Sequence, residues 1–169
     1  RGTTMAKIYV GTYAKYNNGS IEGEWLDCEK YSDHAEFIAA CKELHKDESD
    51  PELMFQDFED FPKDFYNESS IDARLWDFLS LDTGDQEVVS AWLSENSLAE
   101  NGDLQSIVDG FAGRYDSWAD YAEEITKDCH KIPDYLQFYI DWEKMGRDMS
   151  HNSSGYVEYE GELWLFEGR

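Results

Sequence analysis

The amino-acid sequence predicts an α+β protein. Near both ends of the chain, over 7–28 and 157–166, aromatic and aliphatic residues alternate with small or polar ones, which is the period of β-strands. Between these stretches the apolar spacing changes to that of helices. Turn signals at Pro62 and 101–103 separate three small regions. These are an N-terminal hairpin or sheet with one helix (5–62), a central bundle of short helices (63–103) and C-terminal helices with a small antiparallel sheet (104–169).

The N-terminal region begins with a predicted β-hairpin. Residues 7–28 alternate around the NNG sequence at 17–19, and an Asn-Gly pair between two apolar runs is typical of a tight turn. A helix over about 33–46 is predicted next. Asp33 and Glu36 stand at capping-box spacing before it, and apolar residues then recur on one of its faces.

Residues 53–61 predict a third strand that completes the N-terminal region. Beyond it, two helical stripes of apolar residues predict short central helices. The stripes consist of Ile71, Leu75, Phe78 and Leu79, and of Val88, Ala91 and Trp92. A break at 101–103 precedes a further short helix over about 104–110, which Gly110 or Gly113 is expected to close.

The C-terminal region is predicted to contain two helices and a hairpin. Ser117 caps the first helix, whose apolar residues then recur at i, i+3, i+4, i+7 and i+11. The second helix covers 134–145 and is expected to stop at Gly146. The alternating tail at 157–166 predicts two strands that turn at Gly161.

The charge composition indicates a folded protein with an acidic surface. The 169 residues include 38 acidic and 14 basic ones, for a net charge of −24, and acids occur in every segment. Hydrophobic residues make up 41% of the chain and aromatic residues 15%, which is more than acidic disordered tails contain. Nucleic acids and membranes, both anionic, are therefore not expected as partners, whereas a cationic protein groove is.

Cysteine usage and hydropathy favour the cytoplasm. Three cysteines at wide spacing do not suggest a disulfide framework, which is typical of a reducing compartment. The sequence has no apolar run that approaches the roughly 18 residues of a spanning helix, so we expect no membrane association.

Motif analysis indicates neither an enzyme nor a metal site. The four histidines and three cysteines lack the spacing of zinc ligands, and DTGD at 82–85 lacks the glycine and glutamate positions of an EF-hand loop. The sequence also lacks the glycine motifs of dinucleotide-binding folds, P-loops and α/β-hydrolases. A carboxylate pair of the glycosidase kind has no specificity among 38 acids. We therefore predict that the chain is not an enzyme and takes no cofactor.

The net negative charge of the chain equals that of a short DNA duplex. B-DNA carries about one charge per 1.7 Å of axis, so a net charge of −24 corresponds to roughly 40 Å, or about 12 base pairs, of duplex. A rigid acidic protein could occupy a DNA-binding groove regardless of base sequence. Three alternatives remain: acidity that serves solubility alone, an acidic chaperone or inhibitor of other basic DNA-binding proteins, and an enzyme with an unrecognised carboxylate site.

Two sequence motifs resemble those of the ArdA antirestriction proteins. The first comprises YVG at 9–11, YNxG at 16–19 and GxW at 23–25. The second, which is more specific, comprises PxxLQxYID at 133–141 and GRD at 146–148. Order, spacing and acidity resemble this family over nearly the whole chain.

This resemblance implies a cytoplasmic DNA mimic of the kind that mobile genetic elements, such as plasmids and conjugative elements, carry. Such proteins occupy the DNA-binding groove of type I restriction-modification enzymes, at the methyltransferase core, and thereby protect incoming DNA. The resemblance also implies a curved, elongated molecule of three domains that forms a homodimer through the C-terminal one. The sequence does not indicate which restriction systems are inhibited, nor whether modification is inhibited along with restriction.

The mechanism we expect is electrostatic displacement, in which carboxylates stand where phosphates would and pair with Lys and Arg of the enzyme's DNA channel. Twelve acids on predicted polar faces are expected to contribute. They are Asp47, Glu48, Asp50, Asp57, Glu59, Asp60, Asp72, Asp77, Asp109, Asp120, Glu123 and Glu124. Arg147 and Asp148, in the second motif, are expected to form a structural or dimer-edge pair instead.

Overall fold

The computed structural model describes residues 5–99 and 102–168 and confirms the predicted α+β fold. Its described residues form two antiparallel sheets of three strands each, together with short helices. The chain divides into two compact units: an N-terminal unit of residues up to Leu93 with Ser97–Leu104, and a C-terminal unit of Ser94–Asn96 with residues from Gln105 onward. In the described ranges, no helix has both the length and the apolar character needed to cross a membrane.

Three strands form the sheet of the N-terminal unit: β1 (Lys7–Thr12), β2 (Glu24–Asp27) and β3 (Leu53–Glu59). β1 lies in the middle and pairs antiparallel with both of the others. Its alternate residues Ile8 and Val10 are fully buried, as the period-two pattern predicts. The predicted third strand is confirmed.

The predicted β-hairpin is confirmed, because β1 and β2 pair antiparallel, but the connection between them is longer than a tight turn at 17–19. A short helix, α1 (Tyr13–Asn17), begins directly after β1 instead. Thr12 caps this helix, because its hydroxyl accepts a hydrogen bond from the Lys15 backbone N–H (3.2 Å). Gly19, with a φ of 80°, lies just past the helix, so the Asn-Gly signal follows a helix end here.

The predicted helix of the N-terminal region is confirmed as α2 (His34–Leu44). Asp33 caps it by accepting a hydrogen bond from the Glu36 backbone N–H (2.8 Å). Phe37 is fully buried, and its ring centroid lies 6.2 Å from that of Phe55 on β3. The apolar stripe of α2 therefore packs on the sheet.

Three short helices follow as predicted: α3 (Arg74–Ser80), α4 (Thr83–Glu95) and α5 (Leu104–Gly110). The Trp76 indole N–H on α3 donates to the backbone carbonyl of Cys28 (3.1 Å). The backbone N–H of Phe55 donates to the carbonyl of Glu68 (2.7 Å). Hydrogen bonds of the N-terminal unit thus cross the boundary predicted at 62, and the division of the chain into three subdomains stays a prediction.

Three strands form the sheet of the C-terminal unit: β4 (Phe111–Tyr115), β5 (Tyr156–Tyr159) and β6 (Glu162–Phe166). β6 lies in the middle and pairs antiparallel with both of the others. The predicted β5–β6 hairpin is confirmed, and Glu160 and Gly161 at its turn both have positive φ, as in a type I′ turn. The sequence did not predict β4, because Gly110 and Gly113 were interpreted as helix-end signals.

The single helix predicted over 134–145 is wrong. The chain forms two helices there, α7 (Asp134–Gln137) and α8 (Trp142–His151). Asp141 explains why a second helix begins here, because its carboxylate caps α8 by accepting a hydrogen bond from the Lys144 backbone N–H (3.0 Å).

The helix predicted after Ser117 is confirmed as α6 (Trp118–Cys129), and it packs against α8. The prediction that Gly146 ends a helix is wrong, because this residue lies buried within α8. A Cβ at Gly146 would lie 2.6 Å from the carbonyl carbon of Trp118 and 2.8 Å from the backbone nitrogen of Ala119. Glycine at this position therefore permits the close approach of the two helices.

Candidate partner-binding surface

Carboxylates are spread over both units of the chain. The N-terminal unit has 23 acidic and eight basic residues, a net charge of −15, and the C-terminal unit has 15 acidic and six basic residues, a net charge of −9. A surface that binds a cationic groove needs carboxylates that are exposed and that the chain's own cations do not neutralise. Exposure and local partners therefore decide which of the predicted acids are available.

Nine of the twelve predicted carboxylates are exposed, and three are half-buried. The exposed ones are Asp47, Asp50, Asp57, Glu59, Asp60, Asp77, Asp109, Asp120 and Glu124. The half-buried ones are Glu48, Asp72 and Glu123. Within the described part of the chain, five of the twelve form ion pairs, namely Asp47, Glu48, Glu59, Asp72 and Glu123. These five are already partly neutralised.

One face of the N-terminal sheet carries acids beside aromatic rings. Tyr9, on the central strand, stands opposite Asp57 on one side and Trp25 on the other. Lys7 Nζ lies 3.0 Å from Glu59 Oε2 and 4.8 Å from the centre of the Trp25 ring. Asp57 is thus the more available of the two acids, since Glu59 shares its charge with Lys7.

Three other predicted acids lie near the ends of elements. Asp50 lies in the loop before β3, Asp60 follows β3 with a φ of 67°, and Asp109 is on α5. Asp60 accepts a hydrogen bond from the Met5 backbone N–H (3.1 Å), and Asp109 accepts one from the Gln105 amide (2.8 Å). These donors are neutral, so neither hydrogen bond offsets the charge of the carboxylate with a cation.

Asp47 and Glu48 belong to a cluster around Lys15 that joins three segments of the N-terminal unit. Lys15 Nζ lies 3.0 Å from Asp47 Oδ1, 3.3 Å from Glu48 Oε2 and 2.8 Å from His45 Nδ1. Glu48 also accepts a hydrogen bond from the hydroxyl of Thr12 (2.7 Å). The hydrogen bond from Lys15 lowers the pKa of Asp47 below its ordinary value.

The same cluster has the donor spacing of a metal site but already holds a cation. Ligand atoms of His45, Asp47 and Glu48 lie within 4.8 Å of one another. The Lys15 ammonium contacts all three, and the other ring nitrogen of His45 lies 3.0 Å from the carbonyl oxygen of Val10. A divalent ion would have to displace an ammonium that three groups hold. We therefore assign the cluster a role in stability.

Asp72 is also bound to a cation of its own chain. The Arg74 guanidinium donates to both of its carboxylate oxygens (3.0 and 2.7 Å) and to the backbone carbonyls of Ala99 (2.5 Å) and Gly102 (2.7 Å). The hydrogen bonds from Arg74 lower the pKa of Asp72. Asp72 therefore stabilises the N-terminal unit, whereas Asp77, on the same helix as Arg74, is exposed.

The outer surface of α6 carries acids at intervals of four residues. Asp120, Glu124 and Asp128 are exposed, and this spacing places them about 6 Å apart along one face of the helix. Glu123 points elsewhere and pairs with Lys127 (2.5 Å). Sequence reasoning missed Asp128, which its four-residue spacing from Glu124 could have identified. Like charges four residues apart destabilise a helix slightly, so helix stability does not explain why these three acids lie on one face.

Arg147 and Asp148 are both exposed on α8. Neighbouring residues of a helix point in different directions, and these two line different grooves of the C-terminal unit. Arg147 lines a groove of about 430 Å³, and Asp148 lines a second groove of about 520 Å³. The structure thus places these two described side chains apart, and their role at a dimer edge stays a prediction.

The groove beside Arg147 contains carboxylates, but one of them lacks the protonation that acid catalysis needs. Asp116, Glu143, Glu158 and Glu162 line it. The Arg114 guanidinium donates two hydrogen bonds to Glu162 (2.9 and 2.8 Å), and these lower the pKa of that carboxyl. A general acid requires the opposite shift, so Glu162 is suited to ion pairing.

The buried thiols are not activated. Cys28 and Cys41 are fully buried, and burial raises the pKa of each to about 12. A nucleophilic cysteine needs a lowered pKa, because the thiolate is the reactive form. Both thiols therefore act as small apolar side chains in the core of the N-terminal unit.

Comparisons with known proteins agree with the sequence motifs. A sequence model described as antirestriction protein (ArdA) matches residues 8–162. This match covers most of the 169-residue chain. A comparison with curated proteins gives no match.

Proposed function

The chain belongs to the ArdA family of antirestriction proteins, and on that premise we propose that it is a DNA mimic that occupies the DNA-binding groove of type I restriction-modification enzymes. Family membership supports an antirestriction function, with restriction enzymes as partners. The observation that carries the finer proposal is the presence of exposed carboxylates in both units, which have net charges of −15 and −9.

The amount of charge suits a groove that binds duplex DNA. With about one charge per 1.7 Å of B-DNA, the N-terminal unit carries the charge of roughly 25 Å of duplex and the whole chain that of roughly 40 Å. Lys and Arg side chains that neutralise phosphates can neutralise carboxylates through the same charge-assisted hydrogen bonds. Binding then competes with duplex DNA and needs no covalent step.

The proposed contacts are acids that the chain does not neutralise itself. These acids are exposed and form no ion pair among the described residues. Among these acids, which also include Asp50, Asp60 and Asp109, we choose Asp57, Asp77, Asp120, Glu124 and Asp128 as the five proposed contacts. The ion-paired acids, such as Asp72 beside Arg74, contribute mainly to the stability of the fold.

We further propose that the protein acts as a homodimer in the cytoplasm against the methyltransferase core of the enzyme. We also propose that its gene is carried on a mobile genetic element. The resemblance of the two sequence motifs supports these proposals. An exposed aromatic stretch over 135–139 supports the dimer in particular.

A charge-neutralisation series tests whether binding is distributed. An exposed ion pair contributes about 0–1 kcal/mol, so Asp57→Asn or Asp120→Asn alone should raise the half-inhibitory concentration for a type I enzyme less than about five-fold. Neutralising all five proposed contacts together should raise it on the order of 100-fold, because five contributions of about 0.5 kcal/mol each sum to about 2.5 kcal/mol.

The matched control preserves the charge at the same five positions by exchanging Asp for Glu and Glu for Asp. It should inhibit as well as the unaltered protein, since a distributed electrostatic contact does not depend on exact side-chain length. Loss of inhibition from a single neutralisation would indicate a localised site and contradict the proposal. An equal loss in the charge-preserving variant would contradict it as well.

A further inference from the structure

The outer face of the N-terminal sheet carries aromatic rings beside carboxylates. Tyr9 on β1 stands opposite Trp25 on β2 and Asp57 on β3, and residues that stand opposite one another in a sheet lie on the same face. Ile8, the neighbour of Tyr9 in β1, is fully buried on the other face. Asp57 and Glu59 are exposed, and Trp25 is 38% exposed. We call Trp25, Asp57 and Glu59 together the Trp25 site.

The Trp25 site already holds a cation of its own chain. Lys7 Nζ lies 4.8 Å from the centre of the Trp25 ring and 3.0 Å from Glu59 Oε2. An ammonium at this distance is attracted by the π electrons of an indole ring. The side chains of Lys7 and Glu59 are 31% and 48% exposed, so their pair contributes little to the stability of the fold. Another cation can therefore take the place of Lys7 at small cost.

Tyr9 holds the Trp25 ring in place. The centroids of the two rings lie 5.6 Å apart with an angle of 73° between the ring planes, which is the favourable edge-to-face arrangement. The Tyr9 hydroxyl in turn donates a hydrogen bond to the backbone carbonyl of Ile21 (2.7 Å). The indole is thus ordered before a partner binds, and this lowers the entropic cost of binding to it.

We propose that the Trp25 site receives an arginine side chain of the protein partner, and that Lys7 occupies the site until this arginine displaces it. The inference rests on the proposed function, in which the partner's groove supplies Lys and Arg, and it assigns one such side chain to a place on this chain. A distributed electrostatic contact needs no aromatic ring. The Trp25 site therefore adds a contact that charge alone does not provide.

The chemistry of the site favours arginine over lysine as the incoming side chain. A guanidinium is planar, so it stacks on an indole ring while its N–H groups donate two hydrogen bonds to one carboxylate. Glu59 offers such a carboxylate beside the ring. An ammonium is more strongly hydrated and makes neither the stacked nor the two-fold contact. Asp57, on the same face, adds negative charge that attracts the guanidinium.

Titration with N-acetyl-arginine amide tests the site without a restriction enzyme. The indole N–H signals of the six tryptophans are followed by nitrogen-15 NMR on the full chain, and Trp25→Phe identifies the signal of Trp25. We expect this signal to shift most. At equal ionic strength, N-acetyl-lysine amide should bind several-fold more weakly than the arginine probe, because it cannot stack on the ring.

Lys7→Met gives a prediction that a damaged fold cannot imitate, because binding should become tighter. The change frees both the Trp25 ring and Glu59, so the dissociation constant of the arginine probe should fall about ten-fold. Lys46→Met is the matched control. It removes the same charge and frees the carboxylate of Glu43, but it uncovers no ring in this site, so it should change the constant less than about two-fold.

Affinity for a type I methyltransferase tests whether the partner uses the site. Trp25→Leu keeps every charge and should weaken binding about ten-fold. Tyr16→Leu, at an aromatic residue that is 52% exposed on α1, is its control and should leave the affinity unchanged. In a Trp25→Leu background, Lys7→Met should tighten binding no more than Lys46→Met does. Circular dichroism checks that each variant is folded.

Four results would overturn the inference. In the titration these are a Trp25 signal that shifts no more than the other indole signals, a lysine probe that binds as tightly as the arginine probe, and a Lys7→Met variant that binds no more tightly than Lys46→Met. With the enzyme it is a Trp25→Leu variant that binds as the unaltered protein does, which would leave the proposed function intact. If the arginine probe binds at Trp25 but the protein binds no methyltransferase, the proposed function fails while the arginine site stands.

Discussion

Replacement of Gly146 by alanine tests the contact between α6 and α8. The added Cβ would lie 2.6 Å from the carbonyl carbon of Trp118, 2.7 Å from its oxygen and 2.8 Å from the backbone nitrogen of Ala119. All three atoms belong to the backbone of α6, so no side-chain rotation relieves the overlap. The two helices must move apart, and the contacts on both sides of them loosen.

The expected loss of stability is the difference between the cost of overpacking and the gain in helix propensity. Overpacking costs about 1–3 kcal/mol, and an overlap with backbone atoms places this change at about 3 kcal/mol. Alanine is about 1 kcal/mol more favourable than glycine in a helix interior. The free energy of unfolding should therefore fall by about 2 kcal/mol, which lowers the Tm of a chain of 169 residues by about 4–8 °C.

Urea unfolding followed by circular dichroism measures this change. Gly84→Ala is the matched control, because a Cβ at this helical glycine of α4 would have Asp82 Oδ1 as its nearest neighbour, at 3.5 Å. The control should be as stable as the unaltered protein, or up to about 1 kcal/mol more stable. If Gly146→Ala is as stable as this control, the two helices are not in backbone contact and the reasoning is wrong.

Two ion pairs give further predictions. Lys15→Met should lower the free energy of unfolding by about 2 kcal/mol, because it removes the donor to buried His45, whereas Lys46→Met, at an exposed pair, should change it by less than about 0.5 kcal/mol. Equal losses would contradict the stabilising role of the cluster around Lys15. Because Arg74 lowers the pKa of Asp72, their pair contributes fully above the ordinary carboxyl pKa and is lost as the pH falls below about 3.8. The stability difference between Asp72→Asn and the unaltered protein should thus be constant from pH 7 to 5 and shrink below pH 4. A difference as large at pH 3 as at pH 7 would refute this.

Elements with local signals could be predicted from the sequence. α2 and α6 begin at Asp33 and Ser117, whose side chains bind backbone N–H groups three residues ahead. The β5–β6 hairpin turns at Gly161, which adopts the positive φ that glycine permits. In these cases the residues that determine the structure are neighbours in the chain.

Elements that depend on distant residues could not be predicted. β4 is a strand because it pairs with β6, at the other end of the C-terminal unit. Gly146 resembled a helix end, since nothing in its local sequence shows that α6 comes within contact distance. The helix α1 is a different case, because its cap at Thr12 is a local signal that the alternating strand pattern concealed.

The sequence predicts the acidity of the candidate surface but not the availability of each carboxylate. Asp47 is paired with Lys15, which is 32 residues away, and Glu59 is paired with Lys7 on a neighbouring strand. Such pairs are visible only once the chain is folded. The four-residue spacing that leads to Asp128 is a local signal and was available from the sequence.

Competition with duplex DNA for a type I methyltransferase tests the central claim most directly. The fluorescence anisotropy of a labelled duplex bound to the enzyme is followed while the protein is added at several salt concentrations. We expect the protein to displace the duplex, and we expect its dissociation constant, corrected at each salt concentration for that of the duplex, to rise with salt. Failure to displace the duplex, or a corrected dissociation constant that does not change with salt, would contradict DNA mimicry by surface carboxylates.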